Sequence, residues 1–362
     1  MDAAAPRRRT APLLVARFPD AATANRRLGG LSLAARWAAR AREAGQALAL
    51  FAPGLSRWPA VTRDDFARVG LEPAIVTTVE PGATVLDARY LPDPAALRAA
   101  VRGAPVDHAA VIDLADERMA IRRLVVATAK PSDGVVSRWL NRPVSQRITA
   151  MLLRYAPFVR PSHVTGVVGT VALVMALSLL SGTATGLVAG GILFHVASVL
   201  DGVDGELARV SYRSSPEGAV LDTRVDLLTN IGFFVCTAVA LTRLYGGLQA
   251  AVGGMAVMLA LLGLGIVTWL AKRRGAHGSL DVLKPYYRER FPDGWQYWVT
   301  EALVAATSRD FFAFAFAMVI VLGYGWTVSW LLLGFVSTWL AAVVCAMPGV
   351  LRQAELQTLR GI

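Results

Sequence analysis

Four aspartates between two long apolar runs are the residues of this sequence best suited to chemistry. Asp201 and Asp204 are three positions apart, and Asp222 and Asp226 are four apart. If the flanking runs are helices, each spacing places its two carboxylates on one helical face, and two such faces turned towards each other form a four-carboxylate cluster. Four like charges at a bilayer edge are very costly unless a cation neutralises them. Oxygen ligands without a nearby Cys or His favour Mg2+ or Mn2+ over zinc.

The full pattern from Asp201 to Asp226 is D-x2-D-G-x2-A-R-x8-G-x3-D-x3-D. It resembles the signature of the CDP-alcohol phosphotransferases, which are integral membrane enzymes of phospholipid synthesis. A calcium loop would require D-x-D-x-D-G spacing and a distal Glu, and both are absent. A solvated acidic turn would not require Gly205, Gly218 and Arg209 in register with the acids.

This resemblance implies a reaction in which a CDP-linked alcohol gives its phosphatidyl or phosphoinositol group to a second alcohol and releases CMP. The four aspartates would bind the metal, Mg2+ or Mn2+, and Asp226 would also accept the proton of the attacking hydroxyl as the catalytic base. The motif contains no Ser, Cys or His that could act as a nucleophile, so we expect direct transfer. The residues expected to bind the CDP part are Gly202, Gly205, Ala208, Arg209 and Gly218.

Residues 1–130 are predicted to form a Rossmann-like α/β domain with a mainly parallel sheet. Helical patterns at 31–45 and 94–102 alternate with short apolar segments that are typical of buried strands. These segments are 11–18, 47–52, 74–79 and 108–114.

Two segments of this domain resemble sugar-nucleotide transferases. They are LGGLSLAARWAARAREAG and VLDARYLPDPAAL, and the second would place a metal-binding aspartate at Asp87. The phosphate-cradling G-x-G-x-R expected after the first strand is absent, and RFPDAATANRR stands in its place without a glycine. We therefore expect a nucleotidyltransferase-like domain that is inactive.

Residues 131–160 are predicted to contain an amphipathic helix that lies in the membrane interface, with arginines between its apolar positions. The alternative is a plain linker helix. S-R-x-L-N-R-x-x-S and the following P-S-H-V-T resemble inositol-type members of the family, which usually have Asn at the position of His163. We interpret His163 as a cap or packing residue and not as a ligand. The apolar positions are Val136, Trp139, Leu140, Val144, Ile148 and Leu152.

Residues 161–362 are predicted to form a membrane domain of six spans. Lys and Arg concentrate in one set of connections, which places the N-terminus and the aspartates in the cytoplasm. MDAAAPRRRT has no apolar stretch after its basic residues, so we expect no signal peptide. The expected location is the inner, cytoplasmic membrane of a bacterium or archaeon. The expected spans are about 164–182, 185–204, 222–243, 250–271, 310–325 and 328–347.

The formal net charge is +11, and the basic residues concentrate beside the apolar segments. This distribution favours anionic headgroups and phosphorylated substrates over nucleic acid. Arg309 begins an apolar span and is the first candidate for binding an acceptor phosphate, although an Arg309–Asp310 headgroup anchor fits the sequence equally well. The other candidates are Lys272, Arg273 and Lys284.

The identity of the two alcohols stays open at this point. The fused α/β domain and the basic connection favour inositol phosphate as the acceptor, with glycerol phosphate or an aminoalcohol as alternatives. A non-catalytic scaffold or a transporter is a competing hypothesis, but nearly charge-free spans favour an enzyme working at the interface. The family resemblance also implies a homodimer, and small residues such as those of GLVAGG permit close helix contacts.

Overall fold

The structure, a computed structural model, describes residues 14–130, 133–273 and 283–359, without the side chains of 283–285, 304 and 353–359. Outside this part of the chain lie residues 11–13 of the first predicted strand. Arg274 and Arg360, two basic residues that the charge distribution predicts on the cytoplasmic side, also lie outside it. Contacts divide the chain into two compact units. The α/β unit comprises the described residues up to Thr128 together with Arg147–Val159 and Glu206–Arg213, and the helical unit comprises the rest. The domain boundaries at 130 and 160 stay predictions.

A four-stranded parallel sheet organises the α/β unit, in the order β5-β4-β1-β6. Leu14 of β1 lies in register with Leu48 of β4 on one side and with Thr84 of β6 on the other. The predicted parallel α/β domain is therefore confirmed. Among the described residues, the strands are β1 Leu14–Arg17, β2 Arg27–Leu28, β3 Leu31–Ser32, β4 Leu48–Phe51, β5 Ala74–Ile75, β6 Thr84–Asp87, β7 Tyr90–Pro92 and β8 Val111–Asp113.

The fourth strand of this sheet differs from the expectation. The apolar segment 108–114 supplies β8, which pairs antiparallel with β7 in a separate two-stranded sheet. The strand beside β1 is β6, from the segment VLDARYLP, whose side chains are only partly buried. Because β6 lies at the sheet edge, its sequence lacks the continuous apolar run by which the central strands were recognised.

Helices pack around the sheet, and among them α2 has the most buried residues, nine of its twelve. Ser32 caps α2 by accepting a hydrogen bond from the Ala35 amide, and Gly45 ends it in the left-handed conformation. The Trp37 indole is fully buried and donates to the Ala88 carbonyl at 2.9 Å. The helices of this region are α1 Ala21–Asn25, α2 Leu33–Ala44, α3 Ala60–Val69, α4 Pro94–Val101 and α5 Glu117–Val126.

The fully buried Arg36 stabilises one end of α2 in this unit. Its guanidinium donates to three backbone carbonyls, those of Leu28, Gly29 and Val210, and the Nη1 bond to Val210 is 3.3 Å long. Burial lowers the pKa of Arg36 to about 10, so the group is still charged at neutral pH. Gly29 has φ +53, in the left-handed region that favours glycine, and a Cβ there would lie 3.0 Å from Arg36 Nη2.

The helical unit is built from long apolar helices. Five of them are long and apolar enough to cross a membrane, by length and composition among the described residues: Pro161–Leu180, Ala184–Ser211, Pro216–Tyr245, Gly247–Arg273 and Gly325–Arg352. The helices of the rest of the chain are α6 Arg142–Tyr155, α7 Pro161–Leu180, α8 Ala184–Ser211, α9 Pro216–Tyr245, α10 Gly247–Arg273, α11 Leu283–Arg290, α12 Gly294–Ala306, α13 Arg309–Val321 and α14 Val328–Leu359.

The six predicted spans are thus not confirmed as six. The fifth, expected at about 310–325, corresponds to α13, which has only 13 residues. Ser308 precedes its first turn, and Gly323 at φ +87 follows its end, so the helix is shorter than the apolar run that encodes it. A 13-residue helix is about 20 Å long, less than the hydrocarbon thickness of a bilayer.

Aromatic rings fill the core of the helical unit. Phe194 of α8 and Phe233 of α9 stack with centroids 3.9 Å apart, and Phe312 and Phe316 of α13 pack against them. Helix α7 packs along α9, and α10 packs along both α9 and α14. This packing fixes α8, α9 and α13, the three helices that carry the charged residues described below.

The predicted amphipathic segment is helical, with a π-helical turn at Ser137–Asn141 that leads into α6. Its apolar positions Trp139, Leu140 and Val144 are exposed, whereas a row of polar residues at every fourth position is buried. That row consists of Ser137, Asn141, Ser145 and Thr149. Residues four apart share a helical face, so the apolar face is available to lipid and the polar face is used inside the protein; the interfacial position stays a prediction.

Candidate active site

Two helices and the turn between them position the four aspartates. Asp201 and Asp204 lie on α8, while Asp222 and Asp226 lie on α9. Helix α8 ends at Ser211, and Tyr212 follows with φ 51. Helix α9 begins with Pro216 after the cap Ser215, whose hydroxyl accepts a hydrogen bond from the Gly218 amide at 3.0 Å.

Three of the four carboxylates form a tight cluster. One oxygen from each of Asp201, Asp204 and Asp222 lies within 4.8 Å of the other two. Asp204 is buried, and its Oδ2 accepts a hydrogen bond of 2.8 Å from the hydroxyl of Thr165 on α7. Three convergent carboxylate oxygens without sulphur or imidazole are a donor set that fits a hard divalent cation.

The fourth carboxylate, that of Asp226, pairs with Arg309 instead. Nη1 of Arg309 contacts Oδ1 of Asp226 and lies 3.0 Å from Oδ1 of Asp201. One guanidinium nitrogen therefore bridges an aspartate of α8 and an aspartate of α9. The Arg309 side chain is only 12% exposed, while those of Asp201 and Asp226 are about a third exposed.

Arg309 and its neighbour Asp310 have different partners. The Asp310 carboxylate accepts hydrogen bonds of 2.8 Å from the Asn141 amide and 2.7 Å from the Ser198 hydroxyl. The described residues show no Arg309–Asp310 ion pair, and the headgroup-anchor alternative stays a prediction. Asp310 fixes the start of α13 against α8, which leaves Arg309 facing the aspartates.

The sequence interpretation missed the polar residues that support this site. Asn141, Thr165 and Ser198 were not identified, because each is a single polar residue in a largely apolar or basic segment. One signal was present: the four-residue repeat of small polar residues from Ser137 to Thr149 is unusual on an amphipathic helix. Its Asn141 is the residue that reaches Asp310.

The residues expected to bind the CDP part have varied surroundings. A Cβ at Gly202 would lie 3.2 Å from the Cβ of Ser145, so this glycine permits close packing with α6. Gly218 belongs to the cap of α9, where a Cβ would lie 3.2 Å from the Ser215 hydroxyl. Gly205, Ala208 and Arg209 lie on α8 beyond Asp204, in its last two turns.

The remaining acceptor candidates lie elsewhere on the chain. Lys272 and Arg273 are exposed at the end of α10, and the Arg273 guanidinium lies over the Trp269 ring, 5.3 Å from its centroid. Lys284 lies in α11, and its side chain is outside the described residues. Among the described side chains of the four candidates, only that of Arg309 contacts the aspartates.

A second arginine approaches α8 beside the cluster. Arg142 forms a two-bond pair with Asp133, at 2.8 and 3.0 Å, and its Nη1 would lie 3.5 Å from a Cβ at Gly202. Burial alone would raise the pKa of Asp133, but the Arg142 guanidinium outweighs it and the pKa of Asp133 falls below its usual value. The pair therefore stays ionised and holds the start of α6 in place.

The α/β unit has a cavity of its own, of about 720 Å³, at the carboxyl ends of β1 and β6. Asp87, the expected metal ligand, lines it and accepts a hydrogen bond from the Arg89 amide at 2.9 Å. Asp20 lies on the segment after β1 and caps the five-residue α1 through the Thr23 amide. That segment has no glycine before Gly29, so no glycine-rich phosphate loop follows β1.

Comparisons with known proteins point to the region that contains the aspartates. The model of a family described as CDP-alcohol phosphatidyltransferase matches residues 158–347, slightly more than half of the chain. This range includes all four aspartates and Arg309. It excludes the four strands of the parallel sheet.

Curated relatives are named bifunctional IPC transferase and DIPP synthase. The protein of Thermococcus kodakarensis is 34% identical over 168 residues, which are 46% of this chain and 36% of the relative. That of Archaeoglobus fulgidus is 35% identical over 124 residues, 34% of this chain and 24% of the relative. That of Aquifex aeolicus is 35% identical over 138 residues, 36% of this chain and 29% of the relative. The chain thus matches about a quarter to a third of these relatives' length.

Proposed function

Since the chain belongs to the CDP-alcohol phosphatidyltransferase family, we propose that it transfers a phosphoalcohol group from a CDP-linked alcohol to the hydroxyl of an acceptor alcohol and releases CMP. The observation that carries this proposal is the arrangement of four aspartates on α8 and α9, three clustered and one set apart beside Arg309. The clustered carboxylates suit a metal-bound diphosphate, and the separate carboxylate suits proton transfer.

Asp201, Asp204 and Asp222 would hold the divalent cation, with Asp226 as a further ligand. Carboxylate-only ligation favours Mg2+ or Mn2+. When bound, the ion neutralises charge on the diphosphate oxygens. The Thr165 hydroxyl orients Asp204 for this role, as outer hydrogen bonds commonly do for metal ligands.

Asp226 would act as the general base. The acceptor hydroxyl oxygen forms a bond to the phosphorus that carries the donor alcohol. The bond from this phosphorus to the oxygen bridging to CMP breaks, and CMP leaves with the electron pair. The hydroxyl proton passes to Asp226, so no covalent enzyme intermediate is required.

Binding of the two substrates is assigned to different residues. Arg209, with the small residues Gly205 and Ala208 on the same helix, would bind the CDP part; Gly202 and Gly218 would act indirectly, through helix packing and capping. Arg309 would bind a phosphate of the acceptor, while Lys272, Arg273 and Lys284 would attract it to the membrane surface.

Inositol phosphate is the proposed acceptor. The inositol-type sequence around Asn141 supports it, and CDP-diacylglycerol and CDP-inositol are the two candidate donors.

We also propose that the active site and the N-terminus lie on the cytoplasmic side of an inner membrane, that the protein forms a homodimer, and that the α/β unit does not catalyse nucleotidyl transfer. Three glycines of GLVAGG, at 186, 190 and 191, lie close to other residues of this chain, so the close helix contacts that they permit include contacts within the chain.

CMP release by the purified full-length protein in detergent tests this function. The protein is given Mg2+, inositol phosphate and either CDP-diacylglycerol or CDP-inositol. We expect release with one donor and a loss of about 10²- to 10⁴-fold in Asp226→Asn, which removes a general base. Glu217→Gln, which removes an exposed carboxylate on the same helix, is the matched control and should retain activity. No release with either donor would overturn the proposed reaction.

A further inference from the structure

Helix α8 ends beside two of the residues that are proposed to bind the CDP part, Ala208 and Arg209. The last four carbonyl groups of a helix have no partner within the helix and need one elsewhere. Here the Arg213 amide donates to the Ala208 carbonyl at 3.0 Å, and the Tyr212 amide donates to the Arg209 carbonyl at 3.4 Å. These two bonds form a Schellman cap, so the turn that follows the helix holds Ala208 and Arg209 in place.

The residue at the centre of this cap has an unfavourable backbone conformation. The cap requires a left-handed residue, which is usually glycine. Tyr212 occupies the position with φ 51, and among the described residues it is the only non-glycine residue with a positive φ. A side chain other than glycine keeps such a conformation when the surrounding contacts fix it. The contacts of the residues around Tyr212 therefore decide whether the end of α8 is ordered.

The first of these contacts are two arginines of the α/β unit, which includes the segment Glu206–Arg213. Nη1 of Arg36 donates to the Val210 carbonyl at 3.3 Å, and Nη1 of Arg68 donates to the Ser211 carbonyl at 3.2 Å. These carbonyls are the last two of α8. The positive charges of the arginines also interact favourably with the negative end of the helix dipole. The α/β unit thus supplies partners that the helix itself lacks.

The turn after α8 is bonded to the same unit. The Tyr212 hydroxyl donates to Glu43 Oε1 on α2 at 2.5 Å. Nη1 of Arg213 donates to two carbonyls of the segment after α6, those of Pro157 and Val159, at 3.3 and 3.2 Å. Each of the four consecutive residues from Val210 to Arg213 is therefore bonded to α2, to α3 or to the segment after α6.

On this basis, and resting on the proposed function, we propose that the α/β unit is a positioning domain, which holds the end of α8 in its left-handed cap and so orients Arg209 for binding of the CDP part. Arg68 and Tyr212 are positioning residues in this proposal, and Arg209 is the residue that contacts the substrate. The role does not require the glycine-rich phosphate loop that is missing after β1. It gives the α/β unit a part in the transfer reaction that is independent of nucleotidyl transfer.

Two variants remove single contacts of the cap from different sides. Arg68→Gln removes the donor to Ser211, and it is preferred to Arg36→Gln because the Arg68 side chain is 25% exposed whereas Arg36 is fully buried. Tyr212→Phe removes only the hydroxyl that bonds Glu43. Arg63→Gln, which replaces an exposed arginine on the same helix as Arg68, is the matched control.

Hydrogen–deuterium exchange of the full-length protein in detergent measures the opening of the cap without turnover. Mass spectrometry of peptides that cover residues 206–215 should show exchange about 2- to 10-fold faster in Arg68→Gln and in Tyr212→Phe, which is the range for the loss of one hydrogen bond. Arg68→Lys keeps the positive charge at the helix end and should be intermediate. Arg63→Gln should exchange like the wild type.

Donor binding then shows whether the cap acts through Arg209. Titration calorimetry with CMP in the presence of Mg2+ measures Kd, and CMP release measures the kinetic constants. Because only molecules with an ordered cap bind the CDP part, the Kd for CMP and the KM for the CDP donor should rise in Arg68→Gln and in Tyr212→Phe, by no more than the factor seen in exchange. The kcat and the KM for inositol phosphate should stay close to the wild-type values.

Several outcomes would overturn the positioning role. Wild-type exchange at 206–215 in both variants would show that the α/β unit does not hold the cap. Faster exchange with an unchanged Kd for CMP would show that the cap orders the helix end without orienting Arg209. A lower melting temperature with equal rises in the KM values for both substrates would indicate a structural role only. Absence of CMP release from the wild-type protein with either donor would instead refute the proposed function, while the exchange measurement would still show whether the α/β unit holds the end of α8.

Discussion

Two arginines, one in each unit of the molecule, have contrasting partners for their guanidinium groups: Arg36 is buried, and the Arg309 side chain is 12% exposed. Arg36 in the α/β unit donates from all three nitrogens to backbone carbonyls. Arg309 in the helical unit contacts two carboxylates through one nitrogen, and its other two nitrogens have no partner among the described residues. The first arrangement is complete within the protein. The second leaves two buried donors unused by the described residues.

This difference separates structural from functional burial of charge. Neutral carbonyls give Arg36 fixed partners that no substrate can replace, so its charge serves only to hold the chain in one conformation. The partners of Arg309 are charged and one-third exposed, and a cation or an anion that enters the site competes for them. Incomplete hydrogen bonding of a buried charge is therefore the feature that distinguishes the site.

The largest expected effect comes from replacing each arginine by glutamine. Arg36→Gln leaves up to three buried carbonyls unpaired and should lower the free energy of unfolding of the α/β unit by about 3 kcal/mol or more. Arg309→Gln should destabilise the protein less, and Mg2+ should reverse the loss, because a cation that binds the folded aspartates replaces the missing positive charge. Thermal unfolding in detergent, with EDTA and with Mg2+, measures both.

The comparison fails if Mg2+ restores the thermal stability of Arg36→Gln and does not restore that of Arg309→Gln. Rescue of Arg36→Gln by Mg2+ would mean that this arginine influences the metal site. A loss in Arg309→Gln that is large and unaffected by Mg2+ would mean that Arg309 is a structural residue.

The sequence predicted the parts of the molecule that depend on local patterns. The spacing of the aspartates follows from helical periodicity, and the parallel sheet follows from apolar segments that alternate with helices. Edge strand β6 was missed because its side chains are only partly buried. The length of α13 was overestimated because an apolar run does not show where the backbone turns.

The contacts that give the site its character are long-range and have no local signal. Arg309 and Asp226 are 83 residues apart, and Asn141 and Asp310 are 169 apart. The sequence identified Arg309 as a charged residue at the start of an apolar run, but it could not indicate which acid it would contact. The choice between Asp310 and Asp226 depends on tertiary packing, because Asn141 and Ser198 already bind Asp310.

Thr165 tests a neutral, fixed donor to the same carboxylate cluster. Its hydroxyl donates to Asp204 at 2.8 Å, and unlike Arg309 it carries no charge that a ligand could displace. Thr165→Val should weaken Mn2+ binding about 10- to 100-fold, as is typical when a partner of a metal ligand is removed. Electron paramagnetic resonance of free Mn2+ measures the affinity. Thr170→Val is the matched control on α7, since that hydroxyl donates only to the Gly166 carbonyl; equal affinities in the two variants would exclude an orienting role for Thr165.

The smallest effect is expected at an arginine that is neither buried nor short of partners. Arg89 binds Asp113 through two hydrogen bonds of 2.9 and 2.8 Å, and both side chains are about half exposed. The Arg89 guanidinium lowers the pKa of Asp113. The pair therefore stabilises the folded state fully at pH values above the ordinary carboxyl pKa of about 3.9. This stabilisation is lost as the pH falls through the lowered pKa of Asp113. Because water and salt screen an exposed pair, Arg89→Gln should reduce the melting temperature far less than Arg36→Gln does near neutral pH. The difference in melting temperature between Arg89→Gln and the wild type should become smaller in acid and in high salt. A deficit as large as that of Arg36→Gln, or one that is unchanged in acid, would show that geometry alone, without burial, makes a guanidinium structurally important in this protein.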